Sequence, residues 1–137
     1  MKNWMMLVPA LLLAGCAGVP SLQAEVKTAL IDARDDSIVL DSLDSVNGTD
    51  FLVVCPYESE SSIADRLGFT WDDAPDYSQV DDRQTIAIVN EGRVVNQAEL
   101  SRADADFCSD GEWGLLPTST ELRVTRSGES ARRVIQP

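Results

Sequence analysis

Ten consecutive apolar positions, Trp4 to Leu13, divide this chain before any fold is considered. A helix crossing the roughly 30 Å hydrocarbon layer of a bilayer needs about 20 apolar residues, so this run is too short to span one. It follows Lys2 and leads into the small residues Ala14 and Gly15, the layout of an export signal. Roughly 120 residues remain beyond it, enough for one domain with one modest core.

The run ends in Leu13-Ala14-Gly15-Cys16. Two small residues let an extended backbone enter a narrow protease site, and the thiol that follows offers a point for thioether attachment. The pattern resembles the lipobox of bacterial lipoproteins, which are cut before the cysteine. The resemblance implies recognition of Leu13, Ala14 and Gly15 by the lipoprotein signal peptidase, a diacylglycerol on Cys16 and, in many bacteria, a further acyl chain on its new amino group. Several buried acyl chains, at about 0.8 kcal/mol per CH₂, would make the attachment effectively permanent. Residues 1–15 are thus expected to be a signal peptide, 16–21 a lipidated terminus with a short tether, and 22–137 the domain. The residue after the cysteine is Ala17 and not Asp. In a host with two membranes, that implies the outer one, with the domain facing the periplasm.

Charge and composition narrow the chemistry. Eleven Lys and Arg stand against 23 Asp and Glu, a net charge of −12. Such a surface excludes a nucleic-acid binder that works by neutralising phosphates. The chain has no His, which removes the commonest general base, the commonest metal ligand and every triad that needs an imidazole. No catalytic residue, metal or cofactor is expected. With 44% hydrophobic residues, the chain is too apolar for a disordered acidic polymer.

In an oxidising exterior the two remaining cysteines, Cys55 and Cys108, are expected to pair. In the chain-entropy account, closing such a loop stabilises by roughly 4 kcal/mol. The alternatives are two unpaired thiols, or a nucleophilic Cys55 that would have no imidazole to take its proton.

Along the domain, Ser21 can cap a helix over 22–34, in which Leu22, Val26, Leu30 and Ala33 recur at helical spacing. A short strand at Ser37 to Leu40 leads toward a turn at Asn47-Gly48. Phe51 to Cys55 is continuously apolar and of strand length, as a central buried strand requires. Pro56-Tyr57 stops it. Ser59 can then cap a helix from Glu60 to Leu67, with Gly68 ending it. Thr85 to Asn90 and Arg93 to Leu100 form a hairpin on Glu91-Gly92. Glu121 to Arg126 and Ala131 to Gln136 form another across Ser127-Gly128-Glu129. The fold class is α+β: a small antiparallel sheet with one or two helices packed on one face.

The stretch from Phe51 to Gly68, followed by Trp71 and the hairpin from Ile86 to Leu100, is similar to small exported bacterial proteins in which a strand ends in Pro-Tyr before a short helix. The resemblance implies that order of elements and no activity.

Three further groups of residues could carry function. Asp72, Asp73, Asp76, Asp81 and Asp82 crowd one stretch, but they lack the Asp-x-Asp-x-Asp-Gly register and closing Glu of a calcium loop, so a solvated loop is expected. Around Asp106 to Gly111, Cys108 takes a ligand position and Pro117 falls where the bidentate Glu belongs. Arg123, Arg126, Arg132 and Arg133 make one basic stripe, expected to pair across strands with Glu121 or Glu129. Trp71, Tyr77, Phe107 and Trp113 all fall in loops. They either cover the edges of the sheet or, as Trp71, Tyr77 and Trp113, form an exposed interaction surface. The whole describes a lipid-anchored envelope protein, held to the membrane through Cys16. It is expected to act as a non-enzymatic interaction module with an envelope protein partner and no nucleic acid. A small-ligand or cation-binding module is the alternative, ahead of a carboxylate-based hydrolase.

Overall fold

The computed structural model describes residues 18–33, 36–127 and 131–137. The lipobox expected at Leu13 to Cys16, the helix break expected at Arg34-Asp35 and most of the turn expected at Ser127-Gly128-Glu129 lie outside them. Helix α1 (Leu22–Asp32) starts where Ser21 accepts the Ala24 N–H at 3.2 Å, and it buries Leu22, Val26 and Leu30. Strand β1 (Ser37–Val39) and one 3₁₀ turn at Leu40–Ser42 follow. The chain then enters β2 (Asp50–Val54) past Gly48, where a Cβ would stand 2.5 Å from the Val89 carbonyl oxygen, closer than any side chain tolerates. Helix α2 (Glu60–Leu67) has the expected ends: Ser59 accepts the Ser62 N–H, and Gly68 closes it at φ 79°.

Strands β3 (Arg83–Asn90) and β4 (Arg93–Ser101) form the central hairpin, with Glu91 at φ 49° and Gly92 at φ 73° in its turn. Both central residues are left-handed, as a two-residue turn must be to match the twist of its strands. The remaining strands are β5 (Ala105–Asp106), β6 (Leu116–Pro117), β7 (Glu121–Ser127) and β8 (Ala131–Ile135).

The α+β class holds, and its strands divide into two sheets. One runs β4-β3-β2-β6, all antiparallel; the other runs β1-β7-β8-β5, with β5 and β8 parallel. The helices do not share a face, as expected from sequence, but cover opposite faces of the first sheet. On one side Phe51, Val53, Ile86 and Ile88 meet α1 and the Leu122, Val124 and Val134 face of the second sheet. On the other, Leu52 and Val54 meet Ile63 and Leu67 of α2, with Tyr77. From Phe51 onward strand β2 is apolar, because both its faces are covered there. Packing one layer on each side removes more apolar area from water than a one-sided sheet could.

Candidate functional site

The disulfide between Cys55 and Cys108 is formed, with Cα atoms 5.7 Å apart. It ties the end of β2 to the loop after β5, and so joins the two sheets. Around it the backbone is held at many points. Buried Gln84 accepts the Phe107 N–H at 3.0 Å and donates to the Ala105 carbonyl. Asp106 accepts from Cys108 N at 2.8 Å and takes a bidentate grip from Arg102, at 3.2 and 2.8 Å. That carboxylate raises the Arg102 guanidinium further above its ordinary range. From the second sheet, Arg133 binds Ser109 and Asp110, and Gln136 donates to the carbonyls of Gly111 and Glu112.

The turn after Cys55 stands on this base. Tyr57 takes φ 67°, a left-handed conformation costly for a bulky residue, and the residue is 68% exposed. Two backbone bonds clamp the turn to Tyr77: Tyr57 N to the Tyr77 carbonyl at 2.8 Å, and Tyr77 N to the Glu58 carbonyl at 3.0 Å. Beneath it, Glu58 Oε2 accepts the Cys55 N–H at 2.8 Å and the Arg66 guanidinium. Arg66 also donates to the carbonyls of Trp113 at 2.7 Å and Val53 at 3.3 Å. The pair is imperfect, since Glu58 Oε1 and Arg66 Nε are buried without a partner among the described residues. Burial holds the Glu58 carboxyl above the usual carboxylate range, against the pull of the Cys55 N–H and Arg66. Tyr57, Pro56, Glu58, Arg102 and Glu112 line an open pocket of about 300 Å³ over the disulfide.

Of the two readings open for the loop aromatics, the exposed surface of Trp71, Tyr77 and Trp113 is the one the structure corrects. Trp113 is 1% exposed, packs its ring against Phe51 and Phe107 at 6.1 and 6.0 Å, and donates its indole N–H to the Phe107 carbonyl. Tyr77 is also buried; its hydroxyl donates to Glu99 at 2.9 Å and bonds Thr85 at 2.8 Å. Burial, ahead of Glu99, pushes that hydroxyl up to about 12. Trp71 packs half-buried against the α2 side of the core. These three stack into the layers because large apolar rings stabilise most where water is excluded. Among the described residues the exposed aromatic is Tyr57. Sequence reasoning assigned it only to the strand end, and its backbone conformation is the signal the sequence does not carry.

The acidic stretch is not gathered into a site. Asp76 accepts the Ser78 N–H at 3.0 Å, and the Ser78 hydroxyl, ahead of that N–H, holds its carboxyl below the ordinary range. Among the described residues no three Cys, Asp or Glu side chains come together as metal ligands. The basic stripe splits by strand parity. Arg133 pairs with Asp110 of the disulfide loop and, among the described residues, not with Glu121; Glu129 lies outside them. Arg132 points to the core side with Val134.

No helix of the described residues is long and apolar enough to cross a membrane. Compared with known proteins, the chain matches no family model, no curated protein and no solved structure.

Proposed function

We propose that this chain is a lipid-anchored protein of the cell envelope, attached through Cys16, whose domain is a non-enzymatic module that binds an envelope protein with the turn at Tyr57. Support for the anchor comes from the Leu13-Ala14-Gly15-Cys16 pattern after a ten-residue apolar run, and the formed Cys55–Cys108 bond suits an oxidising compartment. The observation that carries the binding reading is Tyr57 itself. A bulky residue is held in a left-handed conformation, with its ring in water, by a disulfide, an ion pair and two backbone bonds. Strain of this kind costs of order 1 kcal/mol and persists where the surroundings over-determine it. Exposed tyrosines on rigid supports are favoured at the centres of interfaces, because little side-chain freedom is lost on binding.

A photo-crosslinking residue at position 57 tests this in growing cells. One discrete adduct is expected there, and none with the same residue at exposed Thr28 on α1. Equal or absent adducts at both positions would remove the reading. Mass spectrometry of the purified chain should separately find a terminus at Cys16 carrying fatty acid, lost in Cys16→Ser.

A further inference from the structure

We propose that a second pocket, bounded by α1, the end of β4 and β8, binds a carboxylate carried on a short aliphatic group, with Arg132 as the counter-charge. It shares no lining residue with the Tyr57 pocket and does not depend on the anchor or on an envelope partner.

Strand parity places the key residue. In β8, Val134 is fully buried in the core, and Arg132, two residues earlier, leaves the strand on the same side. An arginine on the core side of a strand ordinarily meets a carboxylate. Arg132 is half-buried and has no ion-pair or hydrogen-bond partner among the described residues. Its neighbour directly across the β7–β8 ladder is Arg126, a second cation on the same side. Among the described residues the one acid lining the pocket, Asp104, already pairs with Lys27 at 3.5 Å. Beside that pair, the Arg132 charge stands over on a chain of net charge −12.

The rest of the pocket is apolar. Leu30 and Ile31 of α1, with Leu100 and Ala105, wall a space of about 230 Å³, and Ile31 is 56% exposed. Lys27 and Ile31 lie one turn apart on the helix, so an alkyl group against Ile31 would set its carboxylate between Lys27 and Arg132. Bare phosphate would satisfy the cations and leave the apolar wall in water. A neutral alkyl group would do the reverse. The shared chemistry, a carboxylate with an aliphatic body, belongs to a free short-chain acid or to the apolar last residue of a polypeptide. A ligand of this size should bind with about millimolar affinity.

Amide ¹⁵N–¹H spectra of the purified full chain, disulfide intact, would test this during addition of hexanoate, hexanamide, N-acetyl-leucine, N-acetyl-leucinamide or inorganic phosphate. Saturating shifts at Leu30, Ile31 and Ala105 are expected with the carboxylates and not with the two amides or phosphate. Shifts with hexanoate alone identify a free acid, and with N-acetyl-leucine alone a polypeptide terminus; either upholds the proposal. No saturable shift with either carboxylate, or equal shifts with the amides or phosphate, would overturn it. Arg132→Met keeps the aliphatic stem and should weaken carboxylate binding about tenfold or more, as loss of a charge-assisted bond does. Its melting temperature should be no lower than that of the parent, since the charge removed has no partner among the described residues. Unchanged binding in this folded variant would also sink the proposal.

Discussion

Arg66 and Arg132 are both arginines drawn into the body of the domain, and they are used in opposite ways. Arg66 spends its guanidinium on Glu58 and on the carbonyls of Val53 and Trp113. Arg132 spends its own on nothing among the described residues. A buried ion pair contributes little net stability once desolvation is counted, but removing one member strands the other. An unpaired cation carries its desolvation cost with no return in the fold. The first arginine is therefore structural, and the second is held available.

The same substitution made at both sites breaks the comparison if it is wrong. Arg66→Met leaves the Glu58 carboxylate buried and uncompensated, and should lose about 3–5 kcal/mol in denaturant unfolding at neutral pH. Glu58 already sits above the usual carboxylate range, so its folded form holds a proton more readily than the unfolded chain. Stability from such a group is present below the unfolded pKa and is lost as pH rises through the folded one. Part of the Arg66→Met deficit should therefore be recovered on acidification; an equal deficit at every pH would mean that Glu58 is not the stranded partner.

Tyr77 sharpens the contrast from the alkaline side. With its hydroxyl pushed up to about 12, the folded chain keeps a proton that the unfolded chain loses near 10. Stability should fall by roughly 2–3 kcal/mol as pH rises from about 10 to about 12, and Tyr77→Phe should flatten that limb. Tyr57→Gly should raise stability by about 1 kcal/mol by relieving the left-handed strain, while abolishing partner capture. Smallest is Arg132→Met, with a gain of a few tenths to about 1 kcal/mol, seen as a slightly higher denaturant midpoint.

The local elements were legible because their signals are local. Ser21 and Ser59 cap, Gly68 stops, Glu91-Gly92 turns, and Cys55 and Cys108 pair. What was not legible depends on partners far along the chain. Strands β5 and β6 are two residues each and exist only through pairing with β8 and β2. Two signals were present and could have been read further. The unbroken apolar run of β2 already implies cover on both faces, hence helices on opposite sides. The parity of Arg132 with Val134 already places a cation toward the core. The aromatics illustrate the converse: a loop position does not say whether Trp113 or Tyr77 is buried, and nothing in the residue type says that Tyr57 is left-handed.

The Cys55–Cys108 bond also sets what a cut can do to this molecule. It closes a ring that contains α2, β3, β4, β5 and the exposed acidic stretch around Asp72 and Asp81. A protease nicking that stretch severs the ring at one point and releases no fragment. Both pieces stay covalently one, with Tyr57 attached by two residues to the sulfur bridge. The damage becomes a loss of the domain only when the bond is also reduced.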